Sequence, residues 1–267
     1  MSQTYIIAEV GSTHMRDRNM VRAHVANAKA AGADAVKFQW TSDAKAICER
    51  RRAPEYLDAY KLIEFPGTWL NEIAFMAHET RLDFMCTVYL PKDIEAVAPL
   101  VKQFKIASFE ARDTVFIRAH DRFPGTPILL STGMLDIHDV ASAVAQVGNL
   151  GGVLHCVSAY PTPPRDVHLD AIYQLRRMLA PVPVGFSDHT RLRTTGGLAV
   201  AAGAEIIEVH ARLEDTPSTN ADYAVAHDPQ SLAEYVQFIR HAEAMVGHGV
   251  KRLQECEQPM VPYQVRP

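Results

Sequence analysis

The chain has 267 residues, of which 48% are hydrophobic and 22% charged, with a formal charge of −4. That composition suits a globular protein with a large core and excludes general disorder, and the slight acidity argues against a generic nucleic-acid binder. The length matches one large α/β barrel or two small domains.

No apolar run is long enough for a membrane span, and the amino terminus lacks the basic region and apolar stretch of a signal peptide, so no membrane partner and a cytoplasmic enzyme are expected. The four cysteines, Cys48, Cys86, Cys156 and Cys256, show no Cys-x-x-Cys spacing. Cys86 and Cys156 sit inside apolar runs and read as core residues. The basic run at 50–52, flanked by Glu49 and Glu55, reads as a solvated loop.

Residues 5–8 form a short apolar run closed by Glu9, and 11–17 a polar loop. Asn19 can cap a helix in which Val21, Val25 and Ala28 share a face, and Gly32 stops it. Residues 33–36 then run as a strand into Lys37 and Gln39, which completes a βαβ unit in about 35 residues. After a polar excursion at 41–66, a helix at 69–79 precedes a strand at 84–86 that ends in Thr87. A helix at 91–101 precedes a strand at 104–107 that carries Lys105 and closes on Ser108. A short helix at 115–119 leads to a strand at 127–130 followed by Ser131 and Thr132. A helix at 136–147 leads to a strand at 153–157 that contains His155 and closes on Ser158 and Tyr160. Helix 169–179 and strand 183–186 deliver Ser187, Asp188 and His189, and helix 192–202 and strand 204–209 deliver His210. Residues 228–246 read as a final amphipathic helix and 251–267 as a poorly structured extension.

Eight strand–helix repeats predict a single (β/α)8 TIM barrel over residues 1–250. Ala-Ala-Gly-Ala-Asp at 30–34 is echoed by Ala-Ala-Gly-Ala-Glu at 201–205, each joining a helix to a strand through a glycine. Nearly every predicted strand ends in a polar or ionisable residue, and in a barrel those ends converge on the catalytic mouth. Lys37 and Lys105 lie inside apolar strands, where an ammonium needs an anionic partner, either a ligand or a structural carboxylate. Ser108, Ser131 and Ser187 nearby make a phosphate a suitable anion. His189 and His210, on consecutive strand ends, can meet as metal ligands with Asp188 and Glu208 as their supporting carboxylates. No Walker or Rossmann glycine pattern points to a nucleotide.

Six segments together resemble the N-acetylneuraminate (sialic acid) synthase family, which condenses phosphoenolpyruvate with an N-acyl amino sugar. They are Ile-Ile-Ala-Glu-Val-Gly at 6–11, Ala-Gly-Ala-Asp-Ala-Val-Lys-Phe-Gln at 31–39, Lys-Ile-Ala-Ser at 105–108, Ile-Leu-Leu-Ser-Thr-Gly-Met at 128–134, Leu-His-Cys-Val-Ser-Ala-Tyr-Pro-Thr-Pro at 154–163 and Gly-Phe-Ser-Asp-His-Thr at 185–190. The resemblance implies that Lys37 and Thr87 hold the carboxylate of phosphoenolpyruvate, and that Lys105, Ser108, Ser131, Ser187 and Ser158 hold its phosphate. It further implies that His189 and His210 bind a divalent metal, manganese or magnesium, that Glu9 is the acid/base residue, and that Gln39, Tyr160 and Asp222 contact a sugar aldehyde. Asn is usual in the family where this chain has Ser158 and Thr13.

Two departures stand out. After His210 the family's aromatic-Thr-Leu-Asp run is replaced by Ala-Arg-Leu-Glu, and Asp222 aligns only with an extra residue, which leaves the acceptor open. Residues 251–267 resemble the linker to a carboxyl-terminal antifreeze-like domain, so the expectation includes a homodimer or a separate chain supplying that part. A same-site enzyme with a non-hexosamine acceptor, and a non-catalytic barrel that binds a phosphorylated ligand, are the competing readings.

Overall fold

The computed structural model describes residues 3–247 and 249–265. Eight strands alternate with helices: β1 (Tyr5–Gly11), β2 (Ala35–Trp40), β3 (Asp83–Val88), β4 (Phe104–Ile106), β5 (Ile128–Ser131), β6 (Leu150–His155), β7 (Val184–Asp188) and β8 (Ile206–His210). The helices are α1 (Arg18–Ala31), α2 (Ala44–Arg51), α3 (Leu57–Leu62), α4 (Thr68–Glu79), α5 (Ile94–Val97), α6 (Thr114–Ala119), α7 (Ile137–Val144), α8 (Asp170–Leu179), α9 (Thr195–Ala201) and α10 (Pro229–Val246). The strands are hydrogen-bonded in the order β3-β2-β1-β8-β7-β6-β5-β4, all parallel in their registers. The two ends, β3 and β4, pack side by side, so the sheet curls into a nearly closed barrel.

Side-chain parity explains how the barrel becomes a site. Successive strand residues point to opposite faces, so i and i+2 share the interior. At the floor a small apolar cluster of Ile7, Ala35, Met85, Leu129, Leu154 and Ile206 fills the ring. Two residues further along the same strands stand Glu9, Lys37, Thr87, Ser131, Cys156 and Glu208, all buried. The interior therefore changes from apolar to ionisable within one layer. The opposite parity feeds the larger core between strands and helices, which includes Ile6, Val36, Phe84, Ile106 and Ile207.

Several local expectations are corrected. Asp17, not Asn19, caps α1, because its carboxylate reaches the backbone N–H of both Asn19 and Met20. Gly32 and Gly203 do end their helices, at φ 86° and 102°. The excursion at 41–66 contains α2 and α3, and Arg50 and Arg51 are the last residues of α2 rather than a solvated loop. Helix formation there follows from Asp43, which caps at Ala46 N, and from Ala44, Ile47 and Cys48, which share the buried face. The helix expected at 91–101 is a 3-10 turn at Pro91–Asp93 followed by the single turn of α5. Glu255–Tyr263 forms an exposed 3-10 helix where an unstructured extension was expected, with Gln254 and Glu257 making reciprocal caps. Among the described residues no helix is long and apolar enough to cross a membrane.

Candidate active site

A cavity of about 650 Å³ opens at the carboxyl ends of the strands. Of the site residues singled out from the sequence, all line it except Ser158 and the supporting carboxylate Asp188. Ser158 is half-buried behind the wall and donates its hydroxyl to Ser108 Oγ at 2.9 Å.

Ion pairing organises the floor of the cavity. Lys37 Nζ lies 2.5 Å from Glu9 Oε2 and 3.6 Å from Glu208 Oε2, and donates to Thr87 Oγ1 at 3.2 Å. Lys105 Nζ lies 3.6 Å from Glu208 Oε1, which also accepts the Ser187 hydroxyl at 2.8 Å. Register produces this arrangement, since Glu9 sits beside Lys37 on one side and His210 on the other, and Ser187 sits beside Glu208. Burial pulls the Lys37 ammonium towards its neutral form, but Glu208 and Glu9 together outweigh that, and its pKa stands above the ordinary value. For Lys105 burial wins over the Glu208 charge, and the pKa falls below the ordinary value. Burial alone would raise the Glu208 carboxyl, yet Lys105, Lys37 and the Ser187 hydroxyl hold it below the usual carboxylate range.

Both readings of the lysines therefore have a place: each has a structural carboxylate, and each faces a cavity with room for an anion. Glu208 is the residue whose position the sequence analysis misjudged. Its carboxylate bridges two ammoniums and accepts from Ser187 rather than from an imidazole, and the signal lay in its parity, two residues from Ile206 and two from His210 on the inward face of β8. Asp188 is likewise no histidine partner, because it accepts from Thr190 N at 2.7 Å and from the Tyr235 hydroxyl at 2.8 Å.

The imidazoles of His189 and His210 stand with ring centroids 5.4 Å apart, and Tyr160 lies over His189 at 4.3 Å. His189 Nδ1 donates to the Val157 carbonyl at 2.8 Å, so the proton sits on Nδ1 and Nε2 presents its lone pair. Burial, helped by neighbouring His210, lowers the His189 pKa to about 4, so the ring is neutral at pH 7. His210 Nδ1 is buried without a hydrogen-bond partner, 3.8 Å from Asp222 Oδ1. Asp222 is itself fixed by Ser12, whose N–H and hydroxyl reach Oδ2 at 2.8 and 2.6 Å. Gly11 permits that approach, because a Cβ there would meet Asp222 Oδ2 at 2.5 Å. Among the described residues no cluster of three or more His, Cys, Asp or Glu donors gathers for a metal. Two imidazoles with spare nitrogens do fit as the protein's share of a divalent-ion site completed by substrate or water.

Glu9, Gln39 and Asp222 also line the cavity. Gln39 Nε2 donates to Glu9 Oε1 at 2.6 Å, and the Tyr89 hydroxyl donates to Gln39 Oε1. Beyond Tyr89 the cavity continues into an outer arm the sequence did not announce, made by Arg50, Arg51, Tyr60, Phe109, Glu110 and Asp113.

Residues 24–251 match the family described as the NeuB family. An uncharacterised protein of Methanocaldococcus jannaschii is 36% identical over 268 residues, covering 97% of this chain and 76% of that one. The N,N'-diacetyllegionaminic acid synthase of Legionella pneumophila is 33% identical, covering 96% of this chain and 77% of its own. Among solved structures, an N-acetylneuraminic acid synthetase from Leptospira borgpetersenii in complex with citrate superposes with a TM-score of 0.87 at 28% identity, covering 98% of this chain and 91% of that one.

Proposed function

The chain belongs to the NeuB family, whose named members here are sugar-acid synthases, and on that premise we propose that it condenses phosphoenolpyruvate with a sugar aldehyde. The product is a nonulosonic or related keto-deoxy sugar acid plus phosphate. The observation that carries this reading is the pair of buried ammoniums, Lys37 and Lys105, facing one cavity together with the hydroxyls of Thr87, Ser108, Ser131 and Ser187. Such a set binds a compact dianionic molecule at two ends, because each charge-assisted hydrogen bond is strengthened by exclusion of water.

Lys37 and Thr87 hold the carboxylate, and Lys105 with the three serines holds the phosphate. The methylene carbon of phosphoenolpyruvate forms the new C–C bond with the aldehyde carbon, whose oxygen takes up a proton. Water adds at the former enol carbon and loses a proton, and the C–O bond to phosphate then breaks as the new hydroxyl gives its proton to the departing phosphate and becomes the keto oxygen. Glu9 lies between Lys37 and Gln39, well placed to carry a proton between water and the aldehyde oxygen. Gln39, Asp222 and Tyr160 orient the sugar. His189 and His210 hold a divalent ion, manganese or magnesium, which when bound supplies Lewis-acid polarisation of the aldehyde. The altered loop at 211–223, which carries Asp222, makes an acceptor other than an N-acetyl hexosamine the second reading within the same chemistry.

The test is phosphate release from phosphoenolpyruvate with manganese present, run over a panel of aldoses. Release that depends on the aldose and falls at least about 100-fold in His189→Ala supports the reading. Tight phosphoenolpyruvate binding with no release for any aldose would leave a phospho-ligand barrel instead.

A further inference from the structure

The Glu9 carboxylate faces a cation at one oxygen and an amide donor at the other. Lys37 Nζ lies 2.5 Å from Oε2, and Gln39 Nε2 donates to Oε1 at 2.6 Å. The second of these holds depends on where the Gln39 amide sits and which way it faces. Its donor and acceptor ends have nearly the same shape, and a sugar hydroxyl can bond either of them. A substrate entering the cavity could therefore draw the half-buried amide round, or away, and leave Glu9 free to turn.

Tyr89 opposes that movement. β3 sets Thr87 beside Gln39, and Tyr89 follows two residues later with its hydroxyl donating to Gln39 Oε1. The bonds then run in one direction, from the hydroxyl to the amide oxygen and from the amide nitrogen to the carboxylate, so each strengthens the next. Burial, against the opposing charge of Arg51, lifts the hydroxyl well above the ordinary tyrosine pKa, so it keeps the proton it donates.

Tyr89 is itself fixed by the outer arm. Its side chain is buried, its ring lies 4.9 Å under the Arg51 guanidinium, and its carbonyl accepts from Arg50. Both arginines are pinned in turn, Arg50 by Asp113 at 2.6 Å and Arg51 by Glu110 at 2.5 Å. We propose that Tyr89 is a positioning residue for the condensation, its hydroxyl holding the Gln39 amide on Glu9 while Arg50 and Arg51 hold Tyr89. This inference rests on the condensation reading above, in which Glu9 carries the proton.

A double-mutant cycle tests it, with phosphate release measured on the aldose that gives the fastest turnover. Tyr89→Phe keeps the ring and removes only the hydroxyl. It is expected to lower kcat about tenfold or more with the KM for phosphoenolpyruvate within about twofold of the wild type. In a Gln39→Ala background the same change should alter kcat by less than about twofold, because the group through which Tyr89 acts is gone. An unchanged kcat in Tyr89→Phe overturns the proposal, as does an equal loss in both backgrounds. A second readout needs no turnover. In protein carrying isotope-labelled glutamine, the side-chain amide signal of Gln39 is the one lost in Gln39→Ala. Its hydrogen exchange is expected to quicken about tenfold or more in Tyr89→Phe, and unchanged exchange overturns the proposal. Absence of turnover with every aldose would overturn the condensation reading and the catalytic role with it, whereas the amide signal would still decide whether Tyr89 holds Gln39.

Discussion

Glu208 lies 3.6 Å from both Lys37 and Lys105 and accepts the Ser187 hydroxyl, all of them buried. A carboxylate in that position does two things. It makes it tolerable to bury two ammoniums in the folded state, and its charge favours the protonated form of each, outweighing burial at Lys37 and opposing it at Lys105. Removing its charge leaves Lys105 with no other carboxylate within ion-pair distance among the described residues. Glu208→Gln is therefore expected to lose about 3 kcal/mol of stability, because breaking a buried pair leaves an uncompensated charge. Phosphoenolpyruvate should restore part of that loss, since its anionic groups replace the missing one. A thermal melt with and without phosphoenolpyruvate checks this: the ligand-induced rise in Tm should be larger in the variant than in the wild type. Equal Tm values for the two proteins without ligand would show that Glu208 does not carry the lysines.

At the scale of the elements, the barrel depends on how closely β7 approaches β8. Gly185 sits on β7 where a Cβ would lie 2.2 Å from the Ile206 carbonyl oxygen and 2.6 Å from Leu154 Cδ2. Neither atom can give way, one being backbone and the other part of the packed floor. Gly185→Ala should therefore cost about 3 kcal/mol, the upper end for overpacking, and should displace Ser187 two residues later. Gly125→Ala, where nothing lies within 4 Å, is the control and should be nearly neutral. Denaturant midpoints measured with unchanged slope would separate the two cases. The strands themselves were legible because each is a short apolar run closed by a polar residue, and that closing residue is the one that reaches the cavity. Lys37, Thr87, Ser108 and Ser131 stand out by that rule, and Lys105 by being a lysine within an apolar strand. The outer arm was not, because the partners of Arg51 are remote: Glu110 is 59 residues away, and nothing local in a basic run says which residue will meet it. The spacing of Ala44, Ile47 and Cys48 did mark a helix, but the three arginines that follow dominate the composition of that stretch. Asp222 shows the same limit, since its place depends on Ser12, 210 residues earlier.

The whole molecule carries an acid sensitivity that follows from histidines buried without charge. His14 and His24 are both essentially inaccessible, His14 against the rings of Phe38 and Phe65 and His24 beside the Thr13 hydroxyl at 3.2 Å. Burial, with their mutual repulsion as a lesser cause, lowers the His14 pKa to about 3, and burial lowers that of His24 to about 4. In the unfolded chain both return to about 6.5. Below that value the unfolded state binds protons that the folded state refuses, so stability is fully present above about pH 6.5 and falls as pH drops towards the folded pKa values. Each group removes about 1.4 kcal/mol per pH unit in that interval. Asp188 and Glu110, whose carboxyls burial raises, act in the opposite sense, but only where carboxyls begin to take up protons. The net expectation is a Tm that falls by several degrees between pH 7 and pH 5. His24→Gln cannot take up that proton, so it should start from a lower Tm at pH 7 yet lose less over the same interval. Parallel Tm profiles for the two proteins would place the acid sensitivity elsewhere, because a group that does not titrate between the two states cannot contribute to the slope.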